Sequence, residues 1–314
     1  MISKISDKLK EGTRSVPLRT WDVAISDESK HLYEAGISDP RINADYLAMH
    51  ILGIWNKSEL RQYLVQSLTT DQESKFGELM KRRLNQEPLQ HIIGETEFFG
   101  LRLFTSPAAL IPRPETEILV EETLKETVAS SKKNLRILDI GTGSGAIALA
   151  IASRLPDASI IGIDISSDAV ALAEKNKKRL KIENVSFEMS DIFSEYTSPV
   201  DLIVSNPPYI SSEEFQTLEP EVKFYDPRIA LTDEADGLSF YKRIAEIAPK
   251  ILNEGGRIIV EVGYNAAKDV AKIFTGAGFD VVRIVKDLQG IERVIILSVA
   301  PAFSRREPTE SRLY

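Results

Sequence analysis

The 314-residue sequence contains no cysteine. That excludes a disulfide-stapled scaffold, a thiolate metal site and a cysteine nucleophile. Histidine is nearly absent as well. His31, His50 and His91 lie far apart, so no histidine metal centre is expected. Long apolar runs are missing too. No stretch of 18 apolar residues occurs, and no membrane-spanning helix is expected. Met1 to Lys10 carries charges where a signal peptide needs an apolar segment, so a cytoplasmic protein is expected. An excess of basic residues is also lacking. With 39 Lys and Arg against 47 Asp and Glu, the net charge is −8. That balance argues against broad non-specific binding to nucleic acid, though not against a local basic patch.

What remains is ordinary for a soluble globular protein: 43% apolar and 27% charged residues. The length suggests two domains. The first 93 residues read as a small helical bundle. Asp39-Pro40 is a helix start, with an N-cap side chain and a proline in the first turn, followed by Ala44, Leu47, Ala48 and Ile51 at helical spacing, with Gly53 as the stop. Thr70 and Glu73 fit a capping box ahead of Phe76, Leu79, Met80 and Leu84. Residues 94–114 are rich in glycine, proline and aromatics and read as a connector containing a short hairpin.

From Leu135 the pattern alternates. Strands are expected at 135–140, 159–165, 185–189, 201–205, 256–262, 281–285 and 293–299. Helices are expected at 146–154, 168–180, 238–252 and 266–277. This alternation predicts an α/β domain over 115–300, a doubly wound, mostly parallel seven-stranded sheet. The short link between the last two strands allows one antiparallel member. Residues 301–314 are polar and charged and are expected to be a disordered tail.

Two motifs carry chemistry. Gly141-Thr142-Gly143-Ser144-Gly145 follows an apolar strand and opens a helix. In a doubly wound sheet, a nucleotide-like ligand sits at this turn. Asp164, at the end of the next strand, is placed to accept from both ribose hydroxyls. The G-x-G-x-G spacing, with Ala146 following, leans from a dinucleotide towards S-adenosylmethionine.

The second motif, Asn206-Pro207-Pro208-Tyr209, follows the strand Asp201 to Ser205 on the same edge as the glycine loop. Its prolines fix φ and remove two backbone donors, so the segment presents acceptors. The Asn206 side-chain oxygen and the Pro207 carbonyl suit the two N–H bonds of a planar NH2, with the Tyr209 ring stacked on its face. Accepting both protons raises electron density on a nitrogen whose lone pair is delocalised. Positioning of this kind supplies up to ~7–11 kcal/mol of a barrier. Neither a histidine nor a cysteine base is required. A lone Asn-Pro pair would read as a rigid turn; all four residues after such a strand read as a methyl-acceptor site.

These residues resemble the class I, Rossmann-like methyltransferases carrying an NPPY motif, and more closely the HemK/PrmC family of protein-(glutamine-N5) methyltransferases. The resemblance extends through Asn43 to Gly53, Glu87-Pro88-Leu89, Ile93-Gly94, Phe98-Phe99-Gly100, Ile111-Pro-Arg113-Pro-Glu-Thr-Glu117 and Gly290-Ile-Glu-Arg293-Val294. It implies methylation of the GGQ glutamine of peptide-chain release factors in translation termination, with S-adenosylmethionine as donor and no metal. Residues 141–145 would line the methionine part. Asp164 would hold the ribose, Asp191 and Ile192 would lie against the adenine, Asn206 would also touch the cofactor, and Arg113 and Glu117 would close over it. Asn206, Pro207, Pro208 and Tyr209 would hold the glutamine. The helical domain would grip a separate surface of the factor. A monomer acting on a protein, without nucleic acid or membrane, is expected.

Other readings are weighed against this one. An adenine-N6 DNA or RNA methyltransferase would use the same NPPY chemistry, but needs a grip on a phosphate backbone, and no sustained basic stripe is present. A silent S-adenosylmethionine-binding module is disfavoured by the intact Asn206 and Tyr209, and a nicotinamide dehydrogenase by the glycine spacing. His91, Trp21 and Trp55 are expected to serve packing. Glu121-Glu122 is expected to be a solvated helix face, and Asp139 either orients the glycine loop or reaches the ligand's amino group through water.

Overall fold

A computed structural model describes residues 19–129, 132–191 and 198–300. The expected tail, 301–314, lies outside the described residues. The chain divides into two compact units, Met1–Ile93 and Gly94–Tyr314.

The first unit contains α1 (Trp21–Glu34), α2 (Pro40–Leu52), α3 (Lys57–Tyr63), α4 (Thr70–Leu84) and α5 (Leu89–Ile93). Its core includes Trp21, edge-on to Phe76 at 5.6 Å, together with Ala44, Leu47 and Ala48. His91 is buried in α5, consistent with packing. Two local expectations need correction. Asp39 occupies the cap position of α2, but its backbone is left-handed (φ 49°) and its side chain accepts no capping bond. The Asn43 amide instead donates to the carbonyls of Ser38 and Asp39, while Pro40 presets the first turn. The capping box lies one residue earlier than expected, between Thr69 and Gln72. Glu73 turns away to pair with Arg19 at 2.6 Å.

The second unit opens with the hairpin β1 (Glu95–Phe98) and β2 (Leu101–Phe104). Phe99 and Gly100 form its two-residue turn, both at positive φ, as a twisted hairpin requires. A 3-10 turn at Pro114–Thr116 leads into α6 (Glu117–Ala129). Then come β3 (Arg136–Ile140), α7 (Ala146–Arg154), β4 (Ser159–Asp164), α8 (Ser167–Leu180), β5 (Val185–Met189) and β6 (Val200–Ser205). After β6 come α9 (Ser212–Thr217), α10 (Pro220–Tyr225), α11 (Ser239–Ile251), β7 (Leu252–Glu261), α12 (Ala267–Gly276), β8 (Phe279–Lys286) and β9 (Glu292–Val299).

The seven-stranded sheet runs β5-β4-β3-β6-β7-β9-β8, parallel except for β9. Strand order reverses between β3 and β6, where doubly wound sheets bind ligands. Successive residues of β3 face opposite cores: Ile137 joins Leu202 and Val204, and Leu138 joins Ile203 and Ile258. That is why these strands read as continuous apolar runs.

The expected elements match within one or two residues, except that β7 begins at Leu252 rather than Gly256. Its pairing with β6 jumps from Val200↔Leu252 to Leu202↔Arg257. Gly255, at φ 75°, sits inside that irregularity. The Glu121-Glu122 pair also needs correction. Glu121 is exposed, but Glu122 is buried and bonded to Lys125 and Arg283. Helical spacing puts Glu122 and Glu126 on one face of α6, and Arg283 of β8 binds both.

Candidate active site

A cleft of about 350 Å³ opens at the carboxyl ends of β3, β4 and β6. Its floor is the loop after β3. Gly141, Thr142, Gly143 and Ser144 line it, and Gly145 lies directly behind. Gly145 has φ 79°, and a Cβ there would stand 2.8 Å from the Phe187 ring, so both conformation and space require glycine.

Buried polar contacts hold this loop. Asp139 is fully buried and accepts from the Thr142 hydroxyl at 2.6 Å. Burial pushes its carboxyl up to about 7. Asp139 does not line the cleft, so of its two expected roles the geometry favours loop orientation. Asn176 of α8 donates to the Ser144 carbonyl at 2.9 Å and exchanges hydrogen bonds with the Phe104 backbone. It thereby ties the hairpin to the loop. Sequence reading missed it; the available signal was a lone asparagine on the apolar face of an amphipathic helix.

Asp164 reaches the cleft from the end of β4. One carboxylate oxygen accepts the Gly143 N–H and the other the Ser166 N–H, both at 2.9 Å. Each oxygen keeps a second acceptor direction for a ligand hydroxyl. Asp191 also lines the cleft, and its carboxylate receives Arg243 of α11 at 2.9 and 3.2 Å. Ile192 and its neighbour Phe193 lie outside the described residues.

Asn206, Pro207 and Pro208 line the cleft at the end of β6. The Ser205 hydroxyl donates to the Ile140 carbonyl at 2.8 Å and locks the two strand ends together. Asn206 Nδ2 donates to the Thr116 hydroxyl at 3.1 Å, so its Oδ1 is the free acceptor of that amide. Tyr209 follows Pro208 in the chain but does not itself line the cleft; its ring lies against Gly263, and its hydroxyl reaches the Glu261 carboxylate at 3.5 Å. Burial pushes the phenol pKa up, and the nearby Glu261 adds to it, so Tyr209 is a neutral ring here.

Arg113 lines the cleft and binds Asp226 at 2.7 Å. Glu117 departs from expectation: its carboxylate accepts the Phe99 N–H at 2.7 Å and braces the hairpin turn. The stretch after Tyr209 supplies a further wall through Pro227, Ile229 and Ala230. Sequence reading left this segment unassigned, because its helices are only six residues each. Thr116 and Glu261 were also missed. Among the described residues, no group of three or more His, Asp or Glu is arranged to hold a metal ion, and no helix is long and apolar enough to cross a membrane.

A glycine loop at the switch point of a mostly parallel seven-stranded sheet, with an Asn-Pro-Pro-Tyr segment facing it, defines a methyltransferase. Residues 131–292 match the model of a methyltransferase domain family, and residues 24–94 match that of the PrmC N-terminal domain. The release factor glutamine methyltransferase of Fusobacterium nucleatum is 42% identical, over 95% of this chain and 84% of that protein. Its namesake from Thermodesulfovibrio yellowstonii is 45% identical, over 73% of this chain and 83% of that protein. The crystal structure of a release-factor-specific protein-(glutamine-N5) methyltransferase from Alicyclobacillus acidocaldarius is 35% identical, covering 63% of this chain and 99% of that one, with a TM-score of 0.38. This chain belongs to the release factor glutamine methyltransferase family.

Proposed function

We propose that this protein transfers a methyl group from S-adenosylmethionine to the side-chain amide nitrogen, N5, of the glutamine in the GGQ motif of peptide-chain release factors, and so supports translation termination. The observation that carries the reading is the orientation of Asn206. Its Nδ2 is committed to Thr116, which leaves Oδ1 as an acceptor at the cleft. Pro207 adds a carbonyl from a segment with no N–H of its own between Asn206 and Tyr209.

The residues present suit the cofactor. Asp164 offers acceptor directions for two ribose hydroxyls, and the apolar side chains of Ile165 and Phe240 line the same cleft. When bound, S-adenosylmethionine supplies a methyl group on a positively charged sulfur. The protein's part would be to hold the glutamine NH2 by both hydrogens and aim its lone pair; as the N–C bond forms and the S–C bond breaks, one of those hydrogens would leave as a proton past its acceptor oxygen to water. The neutral Tyr209 ring gives that planar group an apolar face and favours the nearby positive charge. The chain need not supply a cationic acid, a thiol or a metal for this work.

The helical unit is proposed to contact a second surface of the release factor, with the full chain acting as a cytoplasmic monomer. The test is incubation with methyl-labelled cofactor and purified release factor, wild type and with the GGQ glutamine changed to alanine, beside a DNA arm. Label is expected in the wild-type factor alone. Equal label in both factors, or label in DNA only, would reject the glutamine assignment.

A further inference from the structure

Glu261 is the last residue of β7 and only 2% exposed. It has no substrate or cofactor role in the mechanism above, and it does not line the cleft. A carboxyl group in such a place normally has strong partners. This one is under-bonded. Oε1 receives a long 3.5 Å contact from the Tyr209 hydroxyl, and Oε2 has no hydrogen-bond partner among the described residues. Its backbone is firmly held, since the Tyr241 hydroxyl donates to the Glu261 carbonyl at 2.8 Å. Nothing in the sheet itself needs a carboxyl side chain at this position.

Three elements converge there. Thr116 closes the 3-10 turn before α6, Asn206 follows β6, and Glu261 ends the adjacent strand β7. The Thr116 hydroxyl accepts from Asn206 Nδ2, so its own hydrogen is free for a second partner. β6 and β7 pair Ser205 with Val260, so Asn206 and Glu261 follow side by side at the strand ends; burial pushes the Glu261 carboxyl up to about 7, and the Thr116 hydroxyl opposes burial by favouring its ionised form. The same carboxylate faces the Tyr209 hydroxyl. The other charged groups acting on it are Arg293, which favours its ionised form, and Glu115, which opposes it.

We propose that Thr116 and Glu261 are positioning residues. They form a buried relay that fixes the Asn206 amide with its oxygen towards the substrate and holds the Tyr209 ring in register with it. This rests on the glutamine-methylation reading and deepens it. An amide has two nearly isosteric orientations, and only one presents an acceptor to the substrate NH2. Thr116 selects that orientation only while its hydrogen has a place to go, and Glu261 supplies the place. One carboxylate therefore serves both residues that would flank the substrate nitrogen.

The relay predicts a specific kinetic pattern. Thr116→Val keeps the shape of the side chain and removes the hydroxyl. It is expected to lower kcat about 10-fold, the size of one lost hydrogen bond near a charge. The KM for release factor and the Kd for S-adenosylmethionine should stay within about 3-fold. Thr116→Ser keeps the hydroxyl and should retain kcat within about 3-fold. Glu261→Leu, which removes the acceptor that a glutamine would keep, is expected to fall by a similar factor to Thr116→Val. The double variant should be hardly slower than either single one, because both interrupt one relay.

The experiment measures steady-state methylation of purified release factor, with cofactor binding by calorimetry and melting temperature as controls. Wild-type kcat in Thr116→Val, an equal loss in Thr116→Ser, or a double variant slowed about 100-fold would overturn the relay. If Glu261→Leu fails to fold, the Thr116 pair alone decides the matter. Failure of the underlying reading looks different: the wild-type enzyme binds cofactor but leaves the GGQ glutamine unmethylated.

Discussion

Arg113 and Asp226 form an ion pair of 2.7 Å between residues 113 apart in sequence. Arg113 belongs to the segment entering the sheet domain, and Asp226 precedes the wall residues Pro227, Ile229 and Ala230. The Asp226 side chain is 1% exposed. Burial raises its pKa while Arg113 pulls it down, and burial prevails. Arg113 is therefore the cation that makes a buried carboxylate tolerable and pins one wall of the cleft.

Replacing Arg113 by alanine should accordingly destabilise the protein by about 1–3 kcal/mol, the range for a lost hydrogen bond to a charged group. Cofactor affinity should weaken with it. Adding Asp226→Asn removes the stranded charge and should recover part of the stability. Urea denaturation and calorimetric cofactor binding on the single and double variants provide the check. A double variant less stable than Arg113→Ala would contradict the account.

Asn206→Ala is expected to separate binding from chemistry. Asn206 Oδ1 serves the substrate NH2, whereas cofactor contacts come chiefly from the loop and Asp164. Removing a preorganised hydrogen-bonding group at a reacting centre lowers kcat by about 10²–10³-fold. Cofactor Kd, measured by calorimetry, should remain close to wild type. Undiminished turnover would exclude the acceptor role.

Asp164→Asn should do the reverse. The carboxylate accepts two backbone N–H groups, from Gly143 and Ser166. An asparagine has one acceptor oxygen and must turn its NH2 towards one of those donors. Loop order and ribose contacts should suffer together. A loss of about 1.5–3 kcal/mol in cofactor binding is expected, roughly 10- to 150-fold in Kd. The residual kcat at saturating cofactor should change far less.

Much of this arrangement was legible in the sequence, and the reason lies in its range. The glycine loop, Asp164 and the Asn206 segment each sit within a few residues of a strand end, so local pattern locates them. The seven strands were legible because a sheet covered on both faces needs continuous apolar runs such as Ile258-Ile259-Val260. Glu261 was hidden by the same pattern, reading only as the polar end of that run. Its partner Tyr209 is 52 residues away, and Thr116 meets Asn206 across 90. No local periodicity reports such pairings. Glu117 was misassigned because its partner is a backbone N–H, which leaves no sequence signature. Glu122 was misread because a charge on a helix looks solvated until an arginine from a distant strand reaches it.

Asp139 provides a thermodynamic test. Its carboxyl is raised from 3.8 to about 7, mainly by burial, with nearby Asp164 adding to it and the Thr142 hydroxyl and the Ala148 N–H opposing it. Between those two values the folded protein binds more protons at this site than the unfolded chain. Stability from this group is therefore fully present below about pH 4 and is lost as pH rises towards 7. Asp139→Asn cannot ionise, yet its oxygen can still accept from Thr142. The variant should gain on the wild type as pH increases from 5 to 8, by an amount on the order of 1–3 kcal/mol. Urea denaturation at both pH values measures the difference. A constant gap between the two proteins would mean that Asp139 titrates alike folded and unfolded, and the buried-acid account of the loop would fail.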